Sequence, residues 1–138
     1  MLAPVTAVCI AAASLAYGVS EPALVTILGT ERGAVGACTV QASGVHDCGP
    51  AQINAEIWVP YFAQLLHQPL AATFYAIRDD GCFNIEAAAY ILRLKTIEAG
   101  GDAWDGMGRY NSATPALKRA YQQRLIAAYR QLFPQPAR

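Results

Sequence analysis

The chain has 138 residues, a length typical of one domain, and its 54% content of hydrophobic residues is enough to fill one sizeable core. Charged residues make up 14% of the chain and the formal net charge is zero, which argues against a nucleic-acid binder that works through bulk electrostatics. We therefore predict a single domain over residues 1–138, with a core at about 5–133 and a loose tail at 134–138.

The first segment, residues 2–16, is uncharged and mostly apolar. It is similar to the hydrophobic region of a signal peptide, but no basic residue precedes it, since the first one in the chain is Arg32. The segment is too short to span a membrane, so we expect no integral membrane span. We interpret it as the first helix, at about residues 5–17, in which case no export signal is evident in this chain. Its apolar face would hold Val8, Ala12, Leu15 and Ala16.

The second predicted helix carries one acidic residue on its apolar face. Glu21 and Pro22 open the helix, because proline is tolerated in a first turn. Glu31 falls on the same stripe as three apolar residues at helical spacing, Leu24, Ile27 and Leu28. A carboxyl group at the buried end of such a face is desolvated, which favours its protonated form and suits it to general-acid catalysis. The alternative is that Glu31 caps a loop or pairs with the adjacent Arg32.

The chain contains four cysteines without metal-type spacing, at Cys9, Cys38, Cys48 and Cys82. We therefore expect no metal site, and the even number is typical of two disulfides formed in an oxidising compartment. Ser43 and Gly44 predict a hairpin loop within residues 38–48. Pairing Gln41 with Val45 then sets Cys38 opposite Cys48, within disulfide reach. The alternative is four reduced, buried cysteines in a cytosolic domain.

Three helices are predicted after the hairpin. The first covers about residues 55–66 and is interrupted or bent near Pro60, and a short one covers about 69–77. A turn at 79–81 separates them from a long helix that Asn84 caps and that ends near residue 99.

Two more helices complete the prediction. The first is short, holds Trp104 and Met107, and ends near Tyr110. Thr114 and Pro115 open the last helix. Its predicted apolar stripe consists of Leu117, Tyr121, Leu125, Ala128 and Leu132. From residue 110 onward the chain has five basic residues and no acid, which we interpret as a solvated helix face rather than a docking surface for an anionic partner.

Sequence motifs of several enzyme classes are absent. The chain has no GxSxG, Walker, HExxH or dinucleotide-binding motif, and we expect no cofactor. His46 beside Cys48 could form a cysteine–histidine pair, but a disulfide at Cys48 would prevent it from acting as a nucleophile.

Four motifs occur in a distinctive order. Glu31 ends the second helix, residues 47–54 read Asp-Cys-Gly-Pro-Ala-Gln-Ile-Asn, residues 82–85 read Cys-Phe-Asn-Ile, and residues 104–111 read Trp-Asp-Gly-Met-Gly-Arg-Tyr-Asn. This order resembles the lytic transglycosylases with a soluble-lytic-type, goose-lysozyme-like fold. More narrowly, it resembles the small specialised members that accompany type IV secretion, conjugation and pilus systems. Their pattern has a catalytic Glu usually followed by Ser, then Asp-x-Gly-Leu-Met-Gln-Ile-Asn, Cys-x-Asn-Ile and Trp-x-x-(Val/Met)-Gly-x-Tyr-Asn. The resemblance covers about residues 8–133.

The resemblance implies a mainly α, α+β lysozyme-like fold, with one short β-hairpin beside the active-site cleft. It also implies a Cys9–Cys82 disulfide beside Cys38–Cys48 and a location in the periplasm or cell envelope. The implied substrate is the glycan strand of peptidoglycan, cut between N-acetylmuramic acid and N-acetylglucosamine to leave a 1,6-anhydromuramyl end. Components of a secretion or conjugation apparatus are the implied protein partners. Glu31 would act alone as acid and then base, and no second acid lies on a comparable apolar face.

The resemblance assigns further site residues. Gln52 and the backbone from Gly49 to Ala51 would line the cleft, Tyr110 would approach the acid and the scissile sugar, and Asn111 would hold that loop. The alternatives are an ordinary helix-start residue for Gln52 and a core aromatic with a satisfied hydroxyl for Tyr110. The two tryptophans are interpreted as core residues rather than sugar-stacking platforms; they are Trp58 and Trp104.

Three positions depart from the family pattern, with Arg32 in place of Ser, Pro50 in place of Leu and Ala51 in place of Met. These departures bear on rate and glycan preference more than on reaction type. Two other functions remain open: a lysozyme-type hydrolase in which Asp47 positions a water, and a weakly active wall-binding assembly factor that recruits partners through its last helix.

Overall fold

A computed structural model describes residues 1–137, which form a mainly α, α+β fold with seven helices and one small sheet in that range. The helices are α1 Ala7–Tyr17, α2 Glu21–Glu31, α3 Ala55–Leu66, α4 Leu70–Asp79, α5 Gly81–Glu98, α6 Ala103–Asn111 and α7 Pro115–Leu132. The strands are β1 Cys38–Val40, β2 His46–Cys48 and β3 Ile53–Asn54. No helix within residues 1–137 combines the length and apolar character needed to cross a membrane.

The sheet confirms the predicted hairpin and adds a third strand. Cys38 lies opposite Cys48 in the antiparallel β1–β2 pair, and the Gln41 N–H donates to the Val45 carbonyl at 2.8 Å. Gly44 is left-handed, with φ 87°, as the hairpin loop requires. Strand β3, which was not predicted from the sequence, pairs with the other side of β2 and leads directly into α3.

Both disulfides are present. Cys38–Cys48 joins the hairpin strands across a Cα–Cα distance of 4.0 Å, and Cys9–Cys82 ties α1 to the first turn of α5 across 5.4 Å. The alternative of four reduced cysteines is therefore wrong.

The long helix α5 forms the centre of the core. It packs against α1, α4 and α6, and its buried side chains include three consecutive alanines that permit close helix approach, Ala87, Ala88 and Ala89. Helix α2 crosses α7, where Gly29 lies so close that an added Cβ would be 2.7 Å from Leu132.

Two predictions about helix starts and breaks are wrong. Asp80 caps α5, since its carboxylate accepts from the Phe83 N–H at 3.1 Å, whereas Asn84 lies fully buried inside the first turn. The predicted interruption at Pro60 is also wrong, because α3 continues from Ala55 to Leu66 with Pro60 inside it, while the alternative of a bend there stays a prediction.

Of two predicted apolar faces, that of α1 is exposed and that of α7 is only partly buried. In α1 the face predicted to pack is exposed, with Val8 at 79% and Leu15 at 86%, because the helix turns Ala13 toward the core and Cys9 toward α5. In α7, Tyr121 and its neighbours Leu125 and Ala128 are buried, whereas the stripe ends at Leu117 and Leu132 are exposed.

Candidate active site

A cavity of about 110 Å³ lies where the end of α2 meets the sheet and α6. It brings together four of the predicted site residues, namely Glu31, Gln52, Tyr110 and Asn111. The remaining lining residues are Gln41, Asp47, Ile53, Asn54, Trp58 and Ile91. The predicted site residues Gly49 and Ala51 do not line this cavity; they are buried in the loop that forms its wall.

Glu31 is the last residue of α2. Arg32 follows it in the left-handed conformation, with φ 54°, and its N–H donates to the Leu28 carbonyl at 3.0 Å to close the helix. The Arg32 side chain turns back along the helix, where its Nε donates to the Gly29 carbonyl at 3.4 Å. Within residues 1–137 the salt bridges do not include a Glu31–Arg32 pair, so the sequence-based alternative of that pairing is not observed.

The environment of Glu31 favours the protonated carboxyl group. Burial raises its pKa to about 7, from an ordinary value of 4.5. The positive charge of Arg124 and the hydroxyl of Tyr121 act in the opposite direction and lower the pKa, while the negative charge of Asp47 raises it further. A carboxyl group with a pKa near neutrality can both give and take a proton at physiological pH.

Two residues of α7 belong to this site although the sequence analysis gave them no role. Tyr121 is fully buried, and its hydroxyl is near enough to Glu31 to lower the pKa of the carboxyl. That hydroxyl still has no partner at hydrogen-bond geometry among residues 1–137. The Arg124 guanidinium lies 5.0 Å from the centre of the Tyr121 ring. One signal in the sequence could have identified Tyr121. Its hydroxyl lies on a stripe predicted to be buried, and α7 contains no acidic residue that could accept a hydrogen bond from it.

The wall of the cavity is the loop between β2 and β3, and Asn84 holds it. The Asn84 Oδ1 accepts from the Ala51 N–H at 2.8 Å, and its Nδ2 donates to the carbonyls of Cys48 at 3.0 Å and Ile77 at 2.9 Å. Gly49 takes a left-handed φ of 71° directly beside this amide. The asparagine of the Cys-x-Asn-Ile motif thus supports the wall from behind.

The same loop contacts the end of α2 at close range. The Gly33 N–H donates to the Pro50 carbonyl at 3.2 Å, and a Cβ added to Gly33 would lie 2.0 Å from the Gly49 carbonyl oxygen. Gln52 has φ 52°, and its Nε2 donates to the Gly49 carbonyl at 3.1 Å. This close approach sets Glu31 and Gln52 beside the same cavity.

Tyr110 closes the cavity from α6. Its hydroxyl donates to the Ala51 carbonyl at 2.8 Å, so it is both a cavity-lining residue and a tyrosine with a satisfied hydroxyl. Burial, followed by the negative charges of Glu31 and Asp47, raises its pKa well above the ordinary range, which keeps the phenol neutral. Asn111 is the last residue of α6 and lies exposed at the cavity edge.

A second carboxyl group faces the same space. Asp47 lies in β2, lines the cavity with Glu31, and accepts a hydrogen bond from the Gln41 side-chain amide. Within residues 1–137, no second acid lies on an apolar helix face comparable to that of Glu31, as expected from the sequence. Asp47 lies in strand β2, and the register of the hairpin directs its side chain toward the cavity.

The tryptophans differ from each other. Trp58 is half-buried, packs against the core and lines the cavity, whereas Trp104 is 44% exposed and the prediction that it belongs to the core is wrong.

Comparison of the chain with protein-family models and with curated proteins gives no match in either case.

Proposed function

We propose that this protein is a lytic transglycosylase that cleaves the β-1,4 bond between N-acetylmuramic acid and N-acetylglucosamine in peptidoglycan. The observation that carries the proposal is the position of Glu31, a carboxyl group with a pKa of about 7 in a cavity that also holds Gln52 and Tyr110. The four motifs in family order are the basis for the proposed substrate and reaction type, and the cavity is the proposed site of the reaction.

The proposed reaction has two proton transfers, both at Glu31. The protonated carboxyl group first donates to the bridging oxygen, which leaves with the N-acetylglucosamine as a hydroxyl group. The resulting carboxylate then takes the proton of the muramyl C6 hydroxyl, whose oxygen bonds to C1 and closes the 1,6-anhydro ring. Glu31 ends the cycle protonated, and no water is consumed.

The neighbours of Glu31 fit the two steps. Desolvation keeps the carboxyl group protonated before bond cleavage, while Arg124 and the Tyr121 hydroxyl favour the carboxylate that forms during it. The Tyr110 hydroxyl already donates a hydrogen bond to the Ala51 carbonyl, and the phenol stays neutral. Tyr110 would therefore act by shaping the cavity. We assign Gln52 and Asn111 to sugar binding, because their side chains lie at the cavity wall and can both donate and accept hydrogen bonds.

A lysozyme-type hydrolase is the second candidate function, and Asp47 does not distinguish it from the transglycosylase, because the transglycosylase pattern also has Asp at this position. Asp47 lies on the same cavity as Glu31, and a second carboxylate can position an attacking water in place of the C6 hydroxyl. The two reactions differ in their products, because hydrolysis leaves a reducing muramyl end.

The proposed location is the periplasm or cell envelope, supported by the two disulfides. We further propose that the cut opens the wall locally for a secretion or conjugation apparatus, which rests on the sequence resemblance alone.

The test is to incubate wild type and Glu31→Gln with purified peptidoglycan and to identify the released fragments by mass spectrometry. Anhydromuropeptides from wild type and none from Glu31→Gln support the proposal. Reducing ends from wild type, lost in Asp47→Asn, would instead support the hydrolase. If neither protein releases fragments but both bind the wall, the result supports an assembly factor, or an activity that requires a partner, and counts against the proposed activity of the protein alone.

A further inference from the structure

An aromatic strip leads away from the cavity along α3 and α5 to α1. Trp58 lines the cavity, and its ring centre lies 5.2 Å from that of Tyr61, one turn further along α3. Tyr61 is followed by Tyr90 at 6.0 Å, and Tyr90 by Tyr17 at 5.6 Å. We define the aromatic strip as these four residues, Trp58, Tyr61, Tyr90 and Tyr17.

The strip is accessible and carries polar groups along its length. Tyr61 is 40% exposed, and the other three members are half-buried rather than buried. The hydroxyls of Tyr61 and Tyr90 bond to each other at 2.9 Å, and the Tyr17 hydroxyl donates to the Glu86 carboxylate at 3.2 Å. An aromatic body with a hydroxyl at its edge can contact the apolar face of a sugar and still exchange hydrogen bonds with its hydroxyls.

A second hollow lies at the far end of the strip. Its volume is about 90 Å³, and Tyr17, Tyr90 and Glu86 line it together with apolar residues of α3 and α5. The strip therefore connects two concave sites, one at Glu31 and one at Glu86. A linear polymer held in the first site has a continuous aromatic path to the second.

We propose that the aromatic strip and the hollow beside Glu86 bind a distal stretch of the glycan strand whose proximal sugars occupy the Glu31 cavity. The inference rests on the proposed function for its ligand and names a binding surface beyond the reacting sugars. Three observations select a glycan as the occupant. The strip is continuous with the cavity through Trp58. It offers hydroxyl and carboxylate partners for sugar hydroxyls. Its polar groups are hydroxyls and a carboxylate, and Lys95 adds a single ammonium 5.9 Å from the centre of the Trp58 ring, which is not the run of cations that binds an anionic polymer.

The test uses Glu31→Gln protein, which should bind without cutting. The probes are peptide-free glycan chains of peptidoglycan, separated into a tetrasaccharide fraction and a much longer fraction, and binding is measured by calorimetry. We expect the longer chains to bind more tightly than the tetrasaccharide. Adding Tyr61→Ala should weaken binding of the longer chains by about three- to tenfold and leave tetrasaccharide binding unchanged. Tyr61→Phe keeps the ring and should retain most of the affinity.

Tyr75→Ala is the matched control, because Tyr75 is also an exposed helical tyrosine but lies on α4, outside the strip. The proposal would be overturned if Tyr61→Ala and Tyr75→Ala bound the longer chains with equal affinity while circular dichroism showed both proteins to be folded. It would also be overturned if the Glu31→Gln parent bound both glycan fractions with equal affinity. The two proposals fail separately. If wild type released anhydromuropeptides but binding affinity did not depend on glycan length, only the binding role of the aromatic strip would be rejected. If affinity rose with glycan length but wild type cut no bond, only the transglycosylase activity would be rejected.

Discussion

The side chain of Asn84 and the backbone of Ala51 are joined by a hydrogen bond of 2.8 Å, between two residues that are both fully buried. The Ala51 carbonyl in turn accepts a hydrogen bond from the Tyr110 hydroxyl, so the core helix α5, the cavity wall and α6 are linked through one loop. The position of the candidate site thus depends on an amide that never contacts the cavity itself.

Asn84→Leu should destabilise the protein strongly. The substitution leaves the Ala51 N–H and two carbonyls without partners in the core, and each unsatisfied group costs about 1–3 kcal/mol. We expect a loss of at least about 3 kcal/mol in the free energy of unfolding, measured by urea denaturation. The control is Gln123→Ala at an exposed position of α7, which should change stability by less than about 0.5 kcal/mol. A similar small loss for Asn84→Leu would contradict the role assigned to the amide.

Two left-handed glycines provide a matched comparison. Gly44 and Gly49 have φ values of 87° and 71°, but a Cβ meets nothing within 4 Å at Gly44 and lies 2.2 Å from the Asn84 Nδ2 at Gly49. Gly44→Ala should therefore lose only the conformational term of about 1–2 kcal/mol. Gly49→Ala should lose more stability, because the amide must also move. Thermal unfolding of the two variants checks this, and equal losses would show that the wall tolerates the displacement.

The pH dependence of stability should report on Glu31. Its pKa is about 7 in the folded protein and about 4.5 as an ordinary carboxyl group, so the folded state binds the proton more tightly. That preference stabilises the fold fully below pH 4.5 and is lost as the pH rises toward 7. Relative to Glu31→Gln, wild type should lose roughly 2–3 kcal/mol of unfolding free energy across this interval. Parallel pH profiles for the two proteins would mean that the carboxyl group is not desolvated.

Two substitutions in α7 should raise the pKa of Glu31 further. Tyr121→Phe removes a hydroxyl and Arg124→Gln removes a positive charge, and both groups favour the carboxylate. The check is a carbon NMR titration of glutamate-labelled protein, with the Glu31 signal assigned by its absence in Glu31→Gln. The control is Arg119→Gln, an exposed arginine of the same helix that is not among the groups that shift Glu31. A Glu31 titration that moves equally in Arg124→Gln and Arg119→Gln would reflect net charge rather than position.

Much of the fold could be predicted because it is encoded locally. Helix caps, proline at first turns and the Ser43-Gly44 loop fixed most element positions, and the hairpin register followed from Gln41 and Val45. Helical periodicity placed Glu31 on the apolar stripe, Gly29 and Gly33 indicated that the helix ends nearby, and the structure ends α2 at Glu31.

The features that were missed depend on tertiary contacts. Asn84 resembles a helix cap in sequence, and only the approach of the loop at 48–51 shows what its amide binds. Tyr121 joins Glu31 because α7 crosses α2, and Asp47 reaches the cavity through a strand whose side-chain direction the hairpin sets. Helical periodicity carries no information about which groups of distant elements meet.

The transglycosylase and the hydrolase are separated most directly by digesting peptidoglycan with the wild-type protein in water enriched in the heavy oxygen isotope and measuring the mass of the new muramyl ends. A transglycosylase closes the ring with the C6 oxygen of the substrate, so we expect anhydromuramyl ends that carry no heavy oxygen. One heavy oxygen atom in each new muramyl end would show that water is the nucleophile and that the protein is not a transglycosylase.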